Sequence, residues 1–211
     1  MGWAEIFTFT FVVTLLVISP GPNGILIAKT VPTSGRTAGF ANIAGFVTAF
    51  YLHGALSILG LSVILMHSAT AFTVVKYLGA AYLLWVGIKS LLAALKKEQD
   101  ELQVQPDRNK RTLVTAYFEG LLTNALNPKV SMFYLAAFPQ FIPAGSNAFA
   151  AASLLLFIHA IINVAWFGII VLLLNRVSEV TRSGQVQRWL KGVTGVALIG
   201  FGVKLASYDR G

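Results

Sequence analysis

Two short polar stretches interrupt long apolar segments of this 211-residue sequence, and each contains proline. The first is Ser19-Pro20-Gly21-Pro22-Asn23, and the second is Asn124-Ala125-Leu126-Asn127-Pro128-Lys129. Proline removes a backbone donor and glycine weakens helix preference, so each stretch should break a helix. Freed carbonyls and half-helix ends can then coordinate a polar ligand. The candidate binding residues are Pro20, Gly21, Pro22, Asn23, Asn124, Asn127, Pro128 and Lys129.

Lys129 is the most informative charge of the chain, because an apolar run follows it before the next polar turn. A charge inside a bilayer costs about 2.5–3.5 kcal/mol on insertion scales, so it should face the protein interior or water. In that position its ammonium is suited to hold a substrate carboxylate. The alternative is that its four methylenes let the ammonium reach the outer membrane surface.

Three further side chains in the apolar segments can exchange a proton, namely Glu119, His53 and His159. Histidine changes charge near neutral pH, so both histidines are candidate proton carriers, with a packing role as the alternative. Glu119 is a candidate to neutralise a cation, carry a coupling proton or pair with the lysine of the second break. Its alternative is a shallow position near the cytoplasmic surface. Ser57 and Asn163 follow the histidines by one helical turn and offer further polar lining.

The amino-acid composition indicates the class of protein to which these residues belong. The chain is 56% hydrophobic and 11% charged, whereas a soluble domain carries about a quarter charged residues. The same numbers exclude a disordered chain. No cysteine is present, which excludes a disulfide framework, a thiolate metal site and a cysteine nucleophile. We therefore expect an integral membrane protein, whose partners include the lipid bilayer.

Long uncharged runs predict six membrane spans, in two groups of three separated by a charged linker over residues 96–111. The first, third and fifth connections hold most of the 16 lysines and arginines, and the second and fourth hold none. The positive-inside rule therefore places the odd-numbered loops in the cytoplasm and both termini in the periplasm. Because most of the lysines and arginines lie in these cytoplasmic loops, the net charge of +8 requires no nucleic-acid partner.

The two groups of three spans match each other in order, with a proline break, then a histidine, then a Gly-x-Lys sequence. The matched residues are Pro20 with Pro128, His53 with His159, and Gly87-Ile88-Lys89 with Gly202-Val203-Lys204. Because three is odd, the copies must have opposite orientations, as in many secondary transporters. We predict an all-α membrane protein of two inverted three-helix repeats, residues 1–95 and 112–211, with the first helix of each broken at proline.

These residues resemble the lysine-exporter (LysE/RhtB) family of amino-acid efflux proteins. The resemblance rests on the two proline breaks, on Gly35-Arg36-Thr37-Ala38-Gly39 and on Phe138-Pro139-Gln140-Phe141, with Gly45 and His53 between them. It implies a multi-pass exporter in the bacterial cytoplasmic membrane that moves small amino acids or their derivatives by proton antiport. The homoserine- and threonine-exporting branch is the most similar. Glu119 is the single intramembrane acid, which favours a neutral substrate over a basic one.

Two other function classes compete with this interpretation. The main alternative is an ion or metal-cation transporter, since related superfamilies combine six spans with such breaks. Soft metals favour thiolates and hard cations favour several carboxylates, neither of which the spans supply. The third class is a membrane enzyme or a structural membrane subunit, but the loops contain no Ser/His/Asp, His-x-x-x-His or paired-carboxylate arrangement. We therefore expect a transporter with no enzymatic activity, cofactor or metal site.

The sequence is compatible with two relative positions of the two breaks. Measured along an ideal helix, Pro20 lies beyond the bilayer midplane, and by symmetry Pro128 lies beyond it on the other side. Strong tilting or re-entry would bring the breaks together at one site. Otherwise they form separate inner and outer gates. A monomer and a homodimer are both compatible with the sequence.

Overall fold

The computed structural model describes residues 1–67, 69–95, 109–143, 147–181 and 184–207, and these contain helices and turns but no strand. The helices are α1 Trp3–Ile18, α2 Pro22–His67, α3 Ala69–Leu95, α4 Leu113–Ala125, α5 Pro128–Met132, α6 Ala148–Thr181 and α7 Gly184–Ser207. A π-helical turn, Phe133–Ala137, and a 3-10 turn, Phe138–Phe141, follow α5. The all-helical prediction is confirmed for the described residues.

Two helical stretches, Pro22–Leu59 and Ala148–Leu174, are long and apolar enough to cross a membrane. Trp3–Ile18, Leu83–Leu95 and Lys191–Gly200 are shorter apolar helices. The predicted first span is divided, because α1 ends at Ile18 and α2 begins at Pro22. The arrangement of six spans as inverted repeats therefore stays a prediction.

Helix α2 contains two segments that meet at Gly35. Its 46 residues would extend about 69 Å if straight, more than twice the thickness of a bilayer core. The chain turns at Gly35, whose φ of 83° is the one positive φ among the described residues. Since residues with a Cβ rarely adopt this conformation, the glycine that opens the Gly35–Gly39 stretch has a structural role.

Both predicted breaks occur at their prolines. The chain leaves helical geometry at Ser19 and re-enters it at Pro22, and it does so again between Ala125 and Pro128. Proline suits the first turn of the new helix, where its missing N–H has no intrahelical acceptor. The Asn127 side chain caps α5 by accepting a hydrogen bond of 3.1 Å from the backbone N–H of Lys129.

Helices α2 and α4 lie in backbone contact. A Cβ added to Gly45 would meet the backbone of α4, and one added to Gly120 would meet the backbone of α2 at Asn42. The Asn42 side chain donates a hydrogen bond of 2.7 Å to the carbonyl of Ala116 within this contact. Small residues allow such approach in membrane helices, and here they fix α4 against α2.

Aromatic packing fixes α1 against the chain that follows the second break. The ring centroid of Phe9 lies 6.0 Å from that of Phe133, 6.1 Å from Phe138 and 5.2 Å from Phe141. All four side chains are buried. Offset and edge-to-face contacts of this kind add stability beyond area burial, so the middle of α1 is held against the chain that follows the second break.

The charged connections are only partly described. Residues 96–108 of the predicted linker 96–111 lie outside the described residues. The fifth connection is shorter than the run of basic residues suggested, because α6 continues to Thr181 and α7 begins at Gly184. Helix α2 ends at His67 and α3 begins at Ala69.

Candidate functional site

The two breaks meet through Lys129. Its ammonium donates hydrogen bonds of 2.9 Å to the backbone carbonyls of Leu16 and of Ser19. These carbonyls belong to the last turn of α1, where a helix leaves acceptors unpaired and carries partial negative charge. Lys129 therefore faces the protein interior, as one of its two predicted alternatives required. A Cβ on Gly21 would lie 3.2 Å from the Lys129 Nζ, so glycine leaves room for the ammonium.

A pair of asparagines joins the same two breaks. The Nδ2 of Asn124 donates a hydrogen bond of 2.8 Å to the carbonyl of Phe46, which fixes the orientation of its amide. Its Oδ1 then accepts a hydrogen bond of 3.0 Å from the Nδ2 of Asn23. The orientation of Asn23 follows, because only its amino group can donate. The Oδ1 of Asn23 is buried without a hydrogen-bond partner.

Tyr134 connects the two predicted histidines. Its hydroxyl lies 2.8 Å from the Nδ1 of His159, which is fully buried. The Tyr134 ring is nearly parallel to both imidazoles, with centroids 5.6 Å from His53 and 5.6 Å from His159. Sequence reasoning missed Tyr134, because an aromatic residue in an apolar run is expected to pack. It lies in the π-helical turn, a geometry often found at functional sites.

A small cavity lies between the breaks. Its polar lining residues are Ser19, Asn23, Asn127, Lys129, His159 and Asn163. Apolar side chains of α1, α2, α5 and α6 complete the wall. The cavity volume of about 20 Å³ gives room for one or two water molecules. A ligand larger than water therefore requires the cavity to widen.

The predicted binding residues divide into two groups. Gly21, Asn23, Asn127 and Lys129 line the cavity. Pro20, Pro22, Asn124 and Pro128 do not line it. The prolines lie at the breaks themselves, and Asn124 orients Asn23. The cavity is thus formed by the predicted motifs together with His159 and Asn163.

Three buried polar atoms of the cavity residues have no hydrogen-bond partner within the described part of the chain, namely Asn23 Oδ1, His159 Nε2 and Asn163 Oδ1. Buried polar atoms of folded proteins are nearly always paired, and each exception needs an explanation. The ammonium of Lys129 adds a positive charge with no carboxylate among the lining residues. This combination indicates a site for a polar ligand that carries both donors and a negative charge.

Ser57 and His53 lie beside the cavity and do not line it. The Ser57 hydroxyl donates a hydrogen bond of 2.7 Å to the carbonyl of Tyr134. The His53 side chain is half-buried, and its Nε2 has no hydrogen-bond partner. Both residues are thus neighbours of Tyr134 in the π-helical turn, whereas Asn163 lines the cavity directly.

Glu119 lies away from the cavity. One of its carboxylate oxygens is 2.7 Å from the Nε of Arg111, and both side chains are partly exposed. The backbone N–H of Arg111 donates a hydrogen bond of 2.8 Å to the Ser34 hydroxyl, beside the turn at Gly35. Glu119 is thus paired with Arg111, and its predicted alternative pairing with Lys129 is not formed. Within the described ranges, no group of three or more His, Asp or Glu side chains is placed to hold a metal.

The chain is similar to known membrane proteins over most of its length. An uncharacterized membrane protein of Bacillus subtilis strain 168, YrhP, is 34% identical over 197 residues, which cover 92% of this chain and 94% of that protein. The threonine efflux protein of Salmonella typhi is 29% identical over 200 residues, 94% of this chain and 96% of that protein.

A third relative is the homoserine/homoserine lactone efflux protein of Salmonella typhimurium, which is 34% identical over 136 residues, 64% of each chain. No solved structure matches the chain. The family model described as LysE type translocator matches residues 14–209, nearly the whole sequence. The protein therefore belongs to the LysE type translocator family and is a membrane transport protein, not an enzyme.

Proposed function

We propose that the protein exports a small neutral amino acid, or a close derivative, from the cytoplasm of a bacterium. The observation that carries the proposal is the cavity between the breaks, with the Lys129 ammonium and three unpartnered polar atoms around it. Relatives named for threonine efflux and for homoserine efflux support this substrate class. The binding residues are those of the two breaks, with the prolines and Asn124 shaping the site.

A neutral substrate fits the charge of the cavity. Among the lining residues there is one formal charge, the ammonium of Lys129, and no acid. A basic side chain would place a second positive charge in a low-dielectric site without a partner, which is strongly unfavourable. A zwitterion of zero net charge brings a carboxylate to Lys129 without that cost.

Proton antiport is the proposed energy source. Histidine is the side chain that exchanges protons most readily in proteins, and Tyr134 places the rings of His53 and His159 in one aromatic group beside the cavity. This arrangement supports the two histidines as proton-coupling residues. Glu119 has weaker support, because its carboxylate is paired with Arg111 away from the cavity.

Inverted repeats over residues 1–95 and 112–211 remain the proposed architecture. A Cβ on Gly87 would lie 2.8 Å from the carbonyl oxygen of Gly195, and one on Gly202 would lie 3.1 Å from that of Ala80. Matching Gly87 with Gly202 also matches Ala80 with Gly195, so the second contact is the symmetric image of the first. These contacts support a two-fold relation between α3 and α7.

The proposed membrane setting is the cytoplasmic membrane, with the odd-numbered loops in the cytoplasm and both termini in the periplasm. The distribution of Lys and Arg along the chain supports this orientation.

Counterflow in proteoliposomes tests the proposed function. Vesicles loaded with unlabelled threonine or homoserine should accumulate the labelled amino acid when they contain the purified protein. Lys129→Met should abolish this uptake, whereas Lys89→Met should retain it, because Lys89 lies on the exposed ring of Trp85 with its Nζ 4.5 Å from the centroid. Absence of counterflow for every small neutral amino acid tried would contradict the proposal.

A further inference from the structure

We propose that the cavity binds its amino acid by both charged ends at once. The substrate carboxylate lies between the ammonium of Lys129 and the Nε2 of His159. The substrate ammonium lies against the amide oxygens of Asn23 and Asn163. This inference rests on the proposed function, and it adds His159 and Asn163 as residues that contact the substrate.

Lys129 retains one donor for the carboxylate. A lysine ammonium has three N–H groups, and two of them are used by the carbonyls of Leu16 and Ser19. Those carbonyls carry only partial charges, so they leave the formal charge of the ammonium without a counter-ion. Because no acid lines the cavity, a substrate carboxylate is the group that neutralises it.

His159 supplies the second donor. Among the described residues, Nδ1 of His159 is the hydrogen-bond partner of the Tyr134 hydroxyl. A phenol that donates to Nδ1 leaves the proton of a neutral imidazole on Nε2, because the two nitrogens divide the donor and acceptor roles. The Nε2–H is then a buried donor without a partner on a residue that lines the cavity. A carboxylate has two oxygens and accepts from both groups.

The amide oxygens of Asn23 and Asn163 are the hydrogen-bond acceptors that the cavity residues leave free. Asn23 presents its Oδ1 because its Nδ2 is used by Asn124. Asn163 is 1% exposed, and its Oδ1 also has no partner. Amide oxygens accept hydrogen bonds from an ammonium without adding a formal negative charge. Two donors and two acceptors around one cavity complement the two ends of a free α-amino acid.

Competition in the counterflow assay tests both ends separately. The competitors are threonine, threonine amide, which lacks the carboxylate, and N-acetylthreonine, which lacks the ammonium. Counterflow needs no proton gradient, so its result is independent of energy coupling. We expect the wild-type protein to prefer threonine over each capped analogue by about tenfold or more, as expected for lost hydrogen bonds to a charged group.

Two variants then assign the ends to residues. Asn163→Ala should reduce the preference for threonine over N-acetylthreonine, whereas Val164→Ala, at an exposed neighbouring position, should keep it. His159→Phe should reduce the preference for threonine over its amide. His159→Gln keeps an N–H donor and should retain that preference even if coupling to the proton gradient is lost.

The outcomes separate this inference from the proposed function. Monodisperse elution in detergent establishes that each variant is folded. Unchanged preferences in folded Asn163→Ala and His159→Phe, with wild-type counterflow intact, would overturn the two-ended binding mode and leave the export function standing. If His159→Phe does not fold, the result for His159→Ala decides the carboxylate side. If wild-type protein shows no counterflow, the export function itself fails.

Discussion

The ammonium of Lys129 lies 2.9 Å from the carbonyl oxygen of Ser19, so a side chain of the second break satisfies the backbone of the first. The two breaks are therefore parts of one structure, which resolves the choice between a single site and two separate gates in favour of contact. Matching Pro20 with Pro128 also matches Gly21 with Lys129, and a Cβ on Gly21 would lie 3.2 Å from the Lys129 Nζ. In the proposed repeat, the lysine thus meets its own symmetry equivalent.

We expect the space beside Gly21 to be essential for transport. Gly21→Ala places a methyl group 3.2 Å from the Lys129 Nζ and should displace the ammonium from the end of α1. We expect counterflow to fall at least about tenfold, equivalent to the loss of one charge-assisted hydrogen bond. Gly200→Ala is the matched control, because a Cβ there meets nothing within 4 Å. Equal activity of the two variants would contradict the assigned role of Gly21.

We expect the stability of the protein to depend on the backbone contact between α2 and α4. Gly120→Ala forces the helices apart and should destabilise the protein by about 1–3 kcal/mol, the usual cost of overpacking. Thermal unfolding in detergent measures this loss. Gly168→Ala is the control, because a Cβ there makes an ordinary contact of 3.7 Å with Phe40. A Gly120→Ala protein as stable as Gly168→Ala would show that the helices separate without cost.

His53 should affect energy coupling more than binding. His53→Gln removes a group that can gain a proton near neutral pH and keeps a polar side chain of similar reach. Efflux driven by a pH gradient should therefore decrease more than counterflow, which needs no gradient. Parallel assays on the same proteoliposomes provide the comparison. If the variant shows the same pH-driven efflux as the wild-type protein, His53 is not a proton-coupling residue.

The ion pair between Glu119 and Arg111 should contribute little. Both side chains are partly exposed, and pairs of this kind stabilise proteins by about 0–1 kcal/mol. Glu119→Gln should therefore change the thermal unfolding temperature only slightly. The same variant tests the remaining role of Glu119 as a proton carrier. Loss of pH-driven efflux with intact counterflow would show that Glu119 is a proton-coupling residue.

The sequence was sufficient to locate the breaks, because Pro20, Pro22 and Pro128 stand beside glycine or asparagine, and these combinations disfavour a continuous helix. It also offered the protein interior as one position for the Lys129 ammonium, because a charge inside a bilayer is costly when it faces lipid. Placing His159 and Asn163 near the site depended on matching the halves of the chain. Each of these inferences used local chemistry or internal similarity, which a single sequence contains.

The contact between the two breaks could not be predicted from the sequence, because it depends on tertiary structure. Helix-length arithmetic treated the first span as straight, whereas α1 ends at Ile18 and the chain re-enters a helix at Pro22. Tyr134 was missed because its role depends on the π-helical turn, which brings its hydroxyl to His159. The pairing of Glu119 with Arg111 was missed because Arg111 belongs to a connection, where side-chain direction is set by tertiary contacts.

The position of Lys129 has a consequence for the resting membrane. A bacterium that stores energy as a proton gradient loses it through any continuous file of water across a transporter. The cavity formed by the described residues has room for one or two waters, and the Lys129 ammonium lies at the break between α1 and α2, where its positive charge repels protons. We therefore expect the empty protein in this conformation to be watertight, so that idle copies do not dissipate the gradient that export would use.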